Sequence, residues 1–264
     1  MGSIHFIGGE KGGVGKSLTA RLLAQYFIDH GQTFVGFDAD HSHSTFSRFY
    51  ADFTTVLDVE NYNSLDEIVA AAESNPDANI LVDLAAQTGR HVNQWAEDSD
   101  SFGIFAELNR PVYLWHVMDD GADSAHLLNK LLENKPDGVQ IVVVMNKGRG
   151  ENFQLFERSP TYRKAQEQDA QIITLKQLQP ALMQKVDFSN LSFWAAANNR
   201  DLLSLVERKR VTVWMENCYA QFDQVLGGES AGRGLPNPPS EPVDAGADDN
   251  GVPVLAENPD SQFA

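Results

Sequence analysis

The stretch "GGEKGGVGKS", from Gly8 to Ser17, restricts the fold of this chain more than any other feature. A run this dense in glycine and ending in Lys-Ser is a loop that cradles phosphates, and its flanks fix the fold around it. Leading into it, "SIHFIGG" (Ser3 to Gly9) is a short, β-rich run that ends in glycines. After it, "SLTARLLAQYFIDHG" places Leu18, Leu22, Leu23, Tyr26 and Phe27 at helical spacing, with Gly31 as a stop. Strand, glycine loop and helix form the context of the phosphate-loop pattern G-x-x-x-x-G-K-[ST], which ends here at Gly15, Lys16 and Ser17.

The residue types suit that chemistry. Glycines adopt backbone angles that turn successive N–H groups inward and let phosphate oxygens come close. The helix N-terminus adds a partial positive charge. Lys16 is expected to reach the β- and γ-phosphates, and the Ser17 hydroxyl to ligate Mg²⁺. The backbone from Lys11 through Gly12, Gly13, Val14 and Gly15 to Leu18 completes the expected cradle.

Lys11 is the less ordinary lysine. "KGGVGKS" resembles the deviant Walker A motif of the ParA/MinD ATPases, the group that also holds the nitrogenase iron protein and the arsenite and tail-anchored-protein ATPases. The resemblance covers most of the chain before its last segment. It implies a homodimer with ATP at the interface, in which Lys11 reaches across to the phosphates of the other subunit, as an arginine finger does in trans.

The rest of the pattern agrees with a P-loop fold. "QTFVGFDAD", "NILVDLAA", "PVYLWHVM", "VQIVVVMNK" and "QIITL" read as further strands, and "SAHLLNKLLENK" as a helix between two of them. "SLDEIVAAA" has Ser64 and Glu67 in capping-box spacing, which predicts a helix start there. Near-continuous apolar strands alternating with helices imply a three-layer α/β/α fold with a mostly parallel sheet. Ligands in such folds bind at the carboxyl ends of the strands. The glycine loop and two acidic strand ends fall there.

Those acids fit the family by position. Asp40 lies 24 residues after Lys16 (40 − 16 = 24), which aligns it with the family's water-positioning aspartate. Asp38 aligns with the acid near the metal's water shell. The family continues with Pro-Gln, whereas His41 and Ser42 follow here. His41 and His43 beside two aspartates also have the look of a transition-metal site, but exposed polar loop residues are the simpler reading. Asp83 resembles the Walker B acid that holds Mg²⁺ through water, although Leu84, Ala85 and Ala86 replace the usual prolines. Gln87 sits where small GTPases carry a water-orienting glutamine, and a switch-loop role is the alternative. In relatives an asparagine near Asn146 contacts the base. Arg149 stands where the guanine motif N-K-x-D needs an acid, so ATP is favoured over GTP.

Composition narrows the job. The chain of 264 residues has a formal net charge of −17, which argues against a whole surface that binds DNA. One cysteine, Cys218, excludes an iron–sulfur reductase and reads as a packed side chain on a helix. No apolar run approaches the roughly 20 residues that span a bilayer, and no signal-peptide layout opens the chain; the expected location is cytoplasmic. A pattern from about Leu202 to Leu226 looks like one long helix. Residues 1–227 are expected to form the ATPase domain and 228–264, rich in Pro, Gly and acids, a disordered tail. That acidic end also argues against a MinD-type basic membrane helix.

ParA-type relatives bind nonspecific DNA through basic residues late in the domain. "ERKRV" (Glu207 to Val211) is the densest basic cluster here; it reads first as a solvated helix face, with DNA contact as the alternative. "KGGVGKSLTARLLAQYF", "DADHSHSTFSRF" and "NNRDLLSLVERKRVT" are similar to TraL-type proteins, ParA-like ATPases encoded with conjugative transfer genes. The expected function is a dimerising switch ATPase that positions, partitions or recruits a protein or DNA cargo. Two alternatives stand beside it: a P-loop ligase or synthetase that uses ATP on a small substrate, and a nucleotide-binding scaffold that does not hydrolyse.

Overall fold

The computed structural model describes residues 1–40 and 45–227. His41, His43 and the acidic segment from residue 228 lie outside the described residues.

The chain runs β1 (Ile4–Gly8), α1 (Lys16–Asp29), β2 (Phe34–Asp38), α2 (Thr45–Phe49), a 3-10 turn (Ala51–Phe53), β3 (Thr54–Val56), α3 (Tyr62–Ser74), β4 (Asn79–Asp83), α4 (Gly89–Ser99), α5 (Ser101–Glu107), β5 (Val112–Met118), α6 (Ala122–Glu133), β6 (Val139–Asn146), α7 (Gln154–Glu157), α8 (Pro160–Glu167), β7 (Gln171–Leu175), α9 (Pro180–Phe188), α10 (Phe193–Asn198) and α11 (Leu205–Leu226). The strands form one sheet in the order β3-β2-β4-β1-β5-β6-β7. Every pairing is parallel.

Parallel strands need crossover helices, and those helices cover both faces. The strands are therefore apolar on both sides. β4 is buried along its whole length. Alternation sorts the side chains between layers. Ile4 and Phe6 of β1 join Ile68, Trp95 and Phe105 under α3, α4 and α5. His5 and Trp115 point the other way, to Phe27 of α1 at 5.4 Å and Phe222 of α11 at 5.7 Å. A second cluster, with Met118, Leu128, Ile141, Val143 and Phe156, closes the sheet beneath α6, α7 and α8. This is the three-layer α/β/α sheet expected from the pattern. Cys218 is buried on α11, where burial pushes its thiol up to about 12, so it packs as an apolar group.

One helix start differs from expectation. Ser64 does not cap α3. Asn61, in extended backbone, accepts from the Asn63 N–H, and the helix opens three residues earlier. Ser64 lies inside the first turn and its hydroxyl accepts from the Asp58 N–H at 3.1 Å. The same S-x-x-E spacing does form a capping box at Ser204 and Glu207, which starts α11. The motif works only where the serine itself precedes the first turn. β3 and the helices α2, α4, α5 and α7 to α10 have no counterpart in the sequence pattern.

Candidate nucleotide site

Strand order, not closeness in sequence, assembles the site. β4 lies between β1 and β2, and its register pairs Asp83 with Asp38 on one side and with Ile7 on the other. The two strand-end acids are thus neighbours, and the glycine loop leaves β1 beside them. On the far side of β1, the ends of β5 and β6 bring Asp119 and Asn146 to the same edge.

The loop has the backbone its glycines were expected to allow. Gly9, Gly13 and Gly15 have φ of 136°, 75° and 101°. Counted strictly, the first glycine of G-x-x-x-x-G-K-[ST] falls on Glu10, so the match is to the second half of the pattern. The Glu10 carboxylate has its own use: it accepts from the Gly89 N–H at 3.2 Å and ties the loop to the start of α4. Gly15 precedes α1 without a side-chain cap. The N–H groups of Lys16, Ser17 and Leu18 therefore have no acceptor within the helix.

Asn146 is buried directly beneath the loop. Its Nδ2 donates to the Val14 carbonyl at 2.8 Å and its Oδ1 accepts from the Gly148 N–H at 2.9 Å. A Cβ on Gly15 would overlap that Nδ2. The structure thus gives Asn146 a bracing position under Val14 and Gly15.

The two lysines are held differently. Lys16 is buried and its Nζ donates to the Lys11 carbonyl at 3.0 Å. Burial lowers its pKa, opposed by the carboxylates of Asp83, Glu10 and Asp40. Lys11 is partly exposed, with Nζ 2.7 Å from Asp119 Oδ2 and 3.0 Å from Oδ1. The Asp119 hydrogen bond raises its pKa. Asp119 also accepts from the Ser124 hydroxyl at 2.6 Å and the Gly121 N–H at 3.1 Å. Partial burial works against its charge, but these donors and Lys11 hold its carboxyl below the usual range. Sequence reasoning missed Asp119. The signal was present: "VMDDG" ends a strand in acids before a glycine, as β2 and β4 also end in acids.

The two central acids also differ. Asp38 is buried and engaged at both oxygens: Oδ1 accepts from the Asp40 N–H at 3.0 Å, and Oδ2 from the Ser47 N–H at 2.9 Å and the Ser47 hydroxyl at 3.0 Å. It anchors α2. Gly36 lets that helix close in, since a Cβ there would lie 2.9 Å from the Phe46 ring. Asp40 is half-buried at the end of the first described segment. Asp83 is 1% exposed, yet among the described residues neither carboxylate oxygen has a hydrogen-bond partner. Burial, then the charges of Asp38 and Asp40, push its pKa up to about 7. The Ser17 hydroxyl and Lys16 oppose that shift; Ser17 is close enough to act on the charge but outside bonding geometry. Gln87 is exposed in a left-handed backbone conformation, φ 66°, on the loop between β4 and α4.

A cavity of about 400 Å³ opens beside the loop on the α4 and α6 side, where Gly9, Glu10, Leu84, Thr88 and His116 line it.

No family model matches the chain. Its sequence is similar to Protein MobD of Acidithiobacillus ferrooxidans, 25% identical over 227 residues that cover 85% of this chain and 98% of MobD. It is also similar to a Protein TraL of Escherichia coli, 24% identical over 245 residues, 84% of this chain and 98% of TraL. Among solved structures it resembles the MinD cell division protein of Aquifex aeolicus, with a TM-score of 0.50, 15% identity, and coverage of 89% of this chain and 100% of MinD. The chain has the ParA/MinD type of P-loop ATPase fold, and its sequence follows MobD and TraL over most of its length.

Proposed function

We propose that the chain is a Mg²⁺-dependent switch ATPase that dimerises around ATP and thereby positions or recruits a protein or DNA cargo in plasmid maintenance or conjugative transfer. One observation carries this reading. Lys16 fills its own loop, while Lys11 of the same loop is partly exposed and, among the described residues, is held by Asp119. A lysine so placed can be given to the phosphates of a facing subunit. The likeness to TraL, the type that the sequence motifs also resemble, supports the conjugative setting.

The residues fit Mg²⁺. Asp83 offers a buried carboxylate with two unpartnered oxygens, and burial of such a group is costly until a cation or donor reaches it. Ser17 and Asp38 complete the set. Among the described residues no group of three or more His, Cys, Asp or Glu could hold a metal ion. Phosphates and water must then supply the remaining ligands, as is usual for this ion. Bound Mg²⁺ neutralises charge on the phosphate oxygens. The chain's own residues do the rest. The N–H groups from Gly12 to Leu18 cradle the phosphates, Lys16 pairs with their charge, Asp40 orients the attacking water, and Lys11 acts across the dimer. No described helix is long and apolar enough to cross a membrane. The location we propose is cytoplasmic.

Sedimentation velocity tests the reading. ATP with Mg²⁺ should convert monomer to dimer, Asp40→Ala should trap the dimer, and Lys11→Ala should abolish both dimer and turnover. Dimerisation and turnover that survive Lys11→Ala sink it. The cavity beside Gly9 and Thr88 favours one second reading, an ATP-dependent ligase with a small substrate. Phosphate release that depends on an added metabolite would select it.

A further inference from the structure

We infer that the first half of α11 and the loop before α9 form a docking groove for a short acidic amphipathic helix of a partner protein. The groove holds about 580 Å³. The inference goes beyond the switch reading and does not depend on hydrolysis.

α11 carries two faces. Val211, Trp214, Met215, Cys218, Tyr219 and Phe222 are buried against the domain. Leu205, Val206 and Val213 belong to a different stripe and are 73%, 58% and 43% exposed. Lys209 and Arg210 lie on that stripe between them, and Lys176 faces it from the loop. The groove is built, not accidental: the Trp214 indole donates to the Lys176 carbonyl at 2.7 Å and pins the loop to the helix.

Its charge is uncompensated. Lys176 bonds Asn217 and Arg210 bonds Gln179, each at 3.0 Å, and both partners are neutral. Lys209 makes no hydrogen bond or ion pair among the described residues. Glu207, the nearest acid in sequence, is committed to the Ser204 cap and to Lys185. Arg208 turns away to the Leu203 carbonyl. Three cations without a carboxylate partner among the described residues mark a surface complementary to an anionic partner.

The exposed aliphatics choose the partner's class. Phosphate backbones are bound by cations and polar groups, and stacked bases by aromatics. Leu205, Val206 and Val213 serve neither. An apolar stripe with a basic rim fits a helix whose leucines enter the groove and whose acids meet the rim. The basic cluster read from sequence as a solvated face is thus half of a mixed surface.

The test uses the full chain and a synthetic helical peptide with leucine on one face and glutamate on its flanks. Fluorescence anisotropy should show saturable binding. Val206→Ser and Lys209→Glu should each weaken it at least about tenfold, with melting temperature and basal ATP turnover unchanged. No binding, or binding that either substitution leaves intact, overturns the proposal. So does duplex DNA that binds in the peptide's place and responds to Lys209→Glu but not to Val206→Ser. Self-association without nucleotide that Val206→Ser abolishes would assign the groove to a second copy and overturn it too.

Discussion

The carboxyl edge of the sheet has two halves, on either side of the glycine loop. Toward β4 and β2 the charges are buried, and one is left unsatisfied: among the described residues the Asp83 carboxylate has no hydrogen-bond partner, while Lys16 bonds the Lys11 carbonyl. Toward β5 the charges have already found each other: Lys11 and Asp119 form an ion pair, with Ser124 and Gly121 satisfying the acid. The first half holds the groups that the proposed cation and phosphates would meet. The second must break an existing contact before Lys11 can act elsewhere. In the proposed switch, binding and switching would then lie apart, and each could be disturbed alone.

The largest effect should come from the buried half. Lys16→Ala removes the buried ammonium of the loop, and ATP affinity measured by calorimetry should fall on the order of a hundredfold. A loss of less than about threefold would place the phosphates elsewhere. Next come the paired acids, whose substitutions should have opposite signs. Asp38→Ala removes the carboxylate that accepts from the Asp40 and Ser47 N–H groups and should destabilise the protein by about 1–3 kcal/mol. Asp83→Asn removes a buried, unpaired charge. Its pKa, raised to about 7, means that this group's contribution to stability falls as pH climbs from about 4 to about 7. At pH 8, without nucleotide, Asp83→Asn should therefore be more stable than the parent by about 1–3 kcal/mol in urea unfolding. It should also lose the extra stability that ATP with Mg²⁺ confers on the parent. If Asp83→Asn destabilises the free protein, the acid is not the orphan described above.

These halves were unequally legible in the sequence. Lys16, Ser17, Asp38, Asp40 and Asp83 follow from a motif and a spacing, because parallel strands of similar length bring their carboxyl ends to one edge. The same logic should have found Asp119. It was passed over because no family pattern marks it, although β5 ends in acids just as β2 and β4 do. Asn146 was legible as a strand-end residue, but its bond to Val14 was not, since that depends on the approach of two strand ends separated by β5. The basic run at Arg208 to Arg210 was visible in sequence. That Arg208 faces away while Lys209 and Arg210 flank exposed valines depends on the helical phase of α11, which Ser204 sets.

A smaller effect tests how dry the sheet is behind each half. Burial lowers His5 of β1 to about 3 and His116 of β5 to about 4. Both are neutral in the fold but take up a proton when unfolded below about pH 6.5. In that window these two side chains bind more protons in the unfolded state, so their contribution to stability rises with pH from about 4 to 6.5 and levels off above, against the opposite slope from Asp83. His116→Gln should flatten this slope in denaturant titrations at pH 4.5 to 7. An unchanged slope would mean that His116 is hydrated from the adjacent cavity.

The smallest effect on stability should carry the most information about the switch. Lys11 and Asp119 are 32% and 18% exposed at their side chains, so their ion pair contributes only about 0.5 kcal/mol, and Asp119→Asn should barely move the melting temperature. Asparagine keeps the acceptor for Gly121 and Ser124 but not the charge that holds Lys11. If that contact competes with transfer of Lys11 to a facing subunit, Asp119→Asn should dimerise at lower ATP concentration, by about twofold for each 0.4 kcal/mol released. Weaker dimerisation in Asp119→Asn would instead make Asp119 a positioning group that Lys11 needs, and the two halves of the edge would then act as one site.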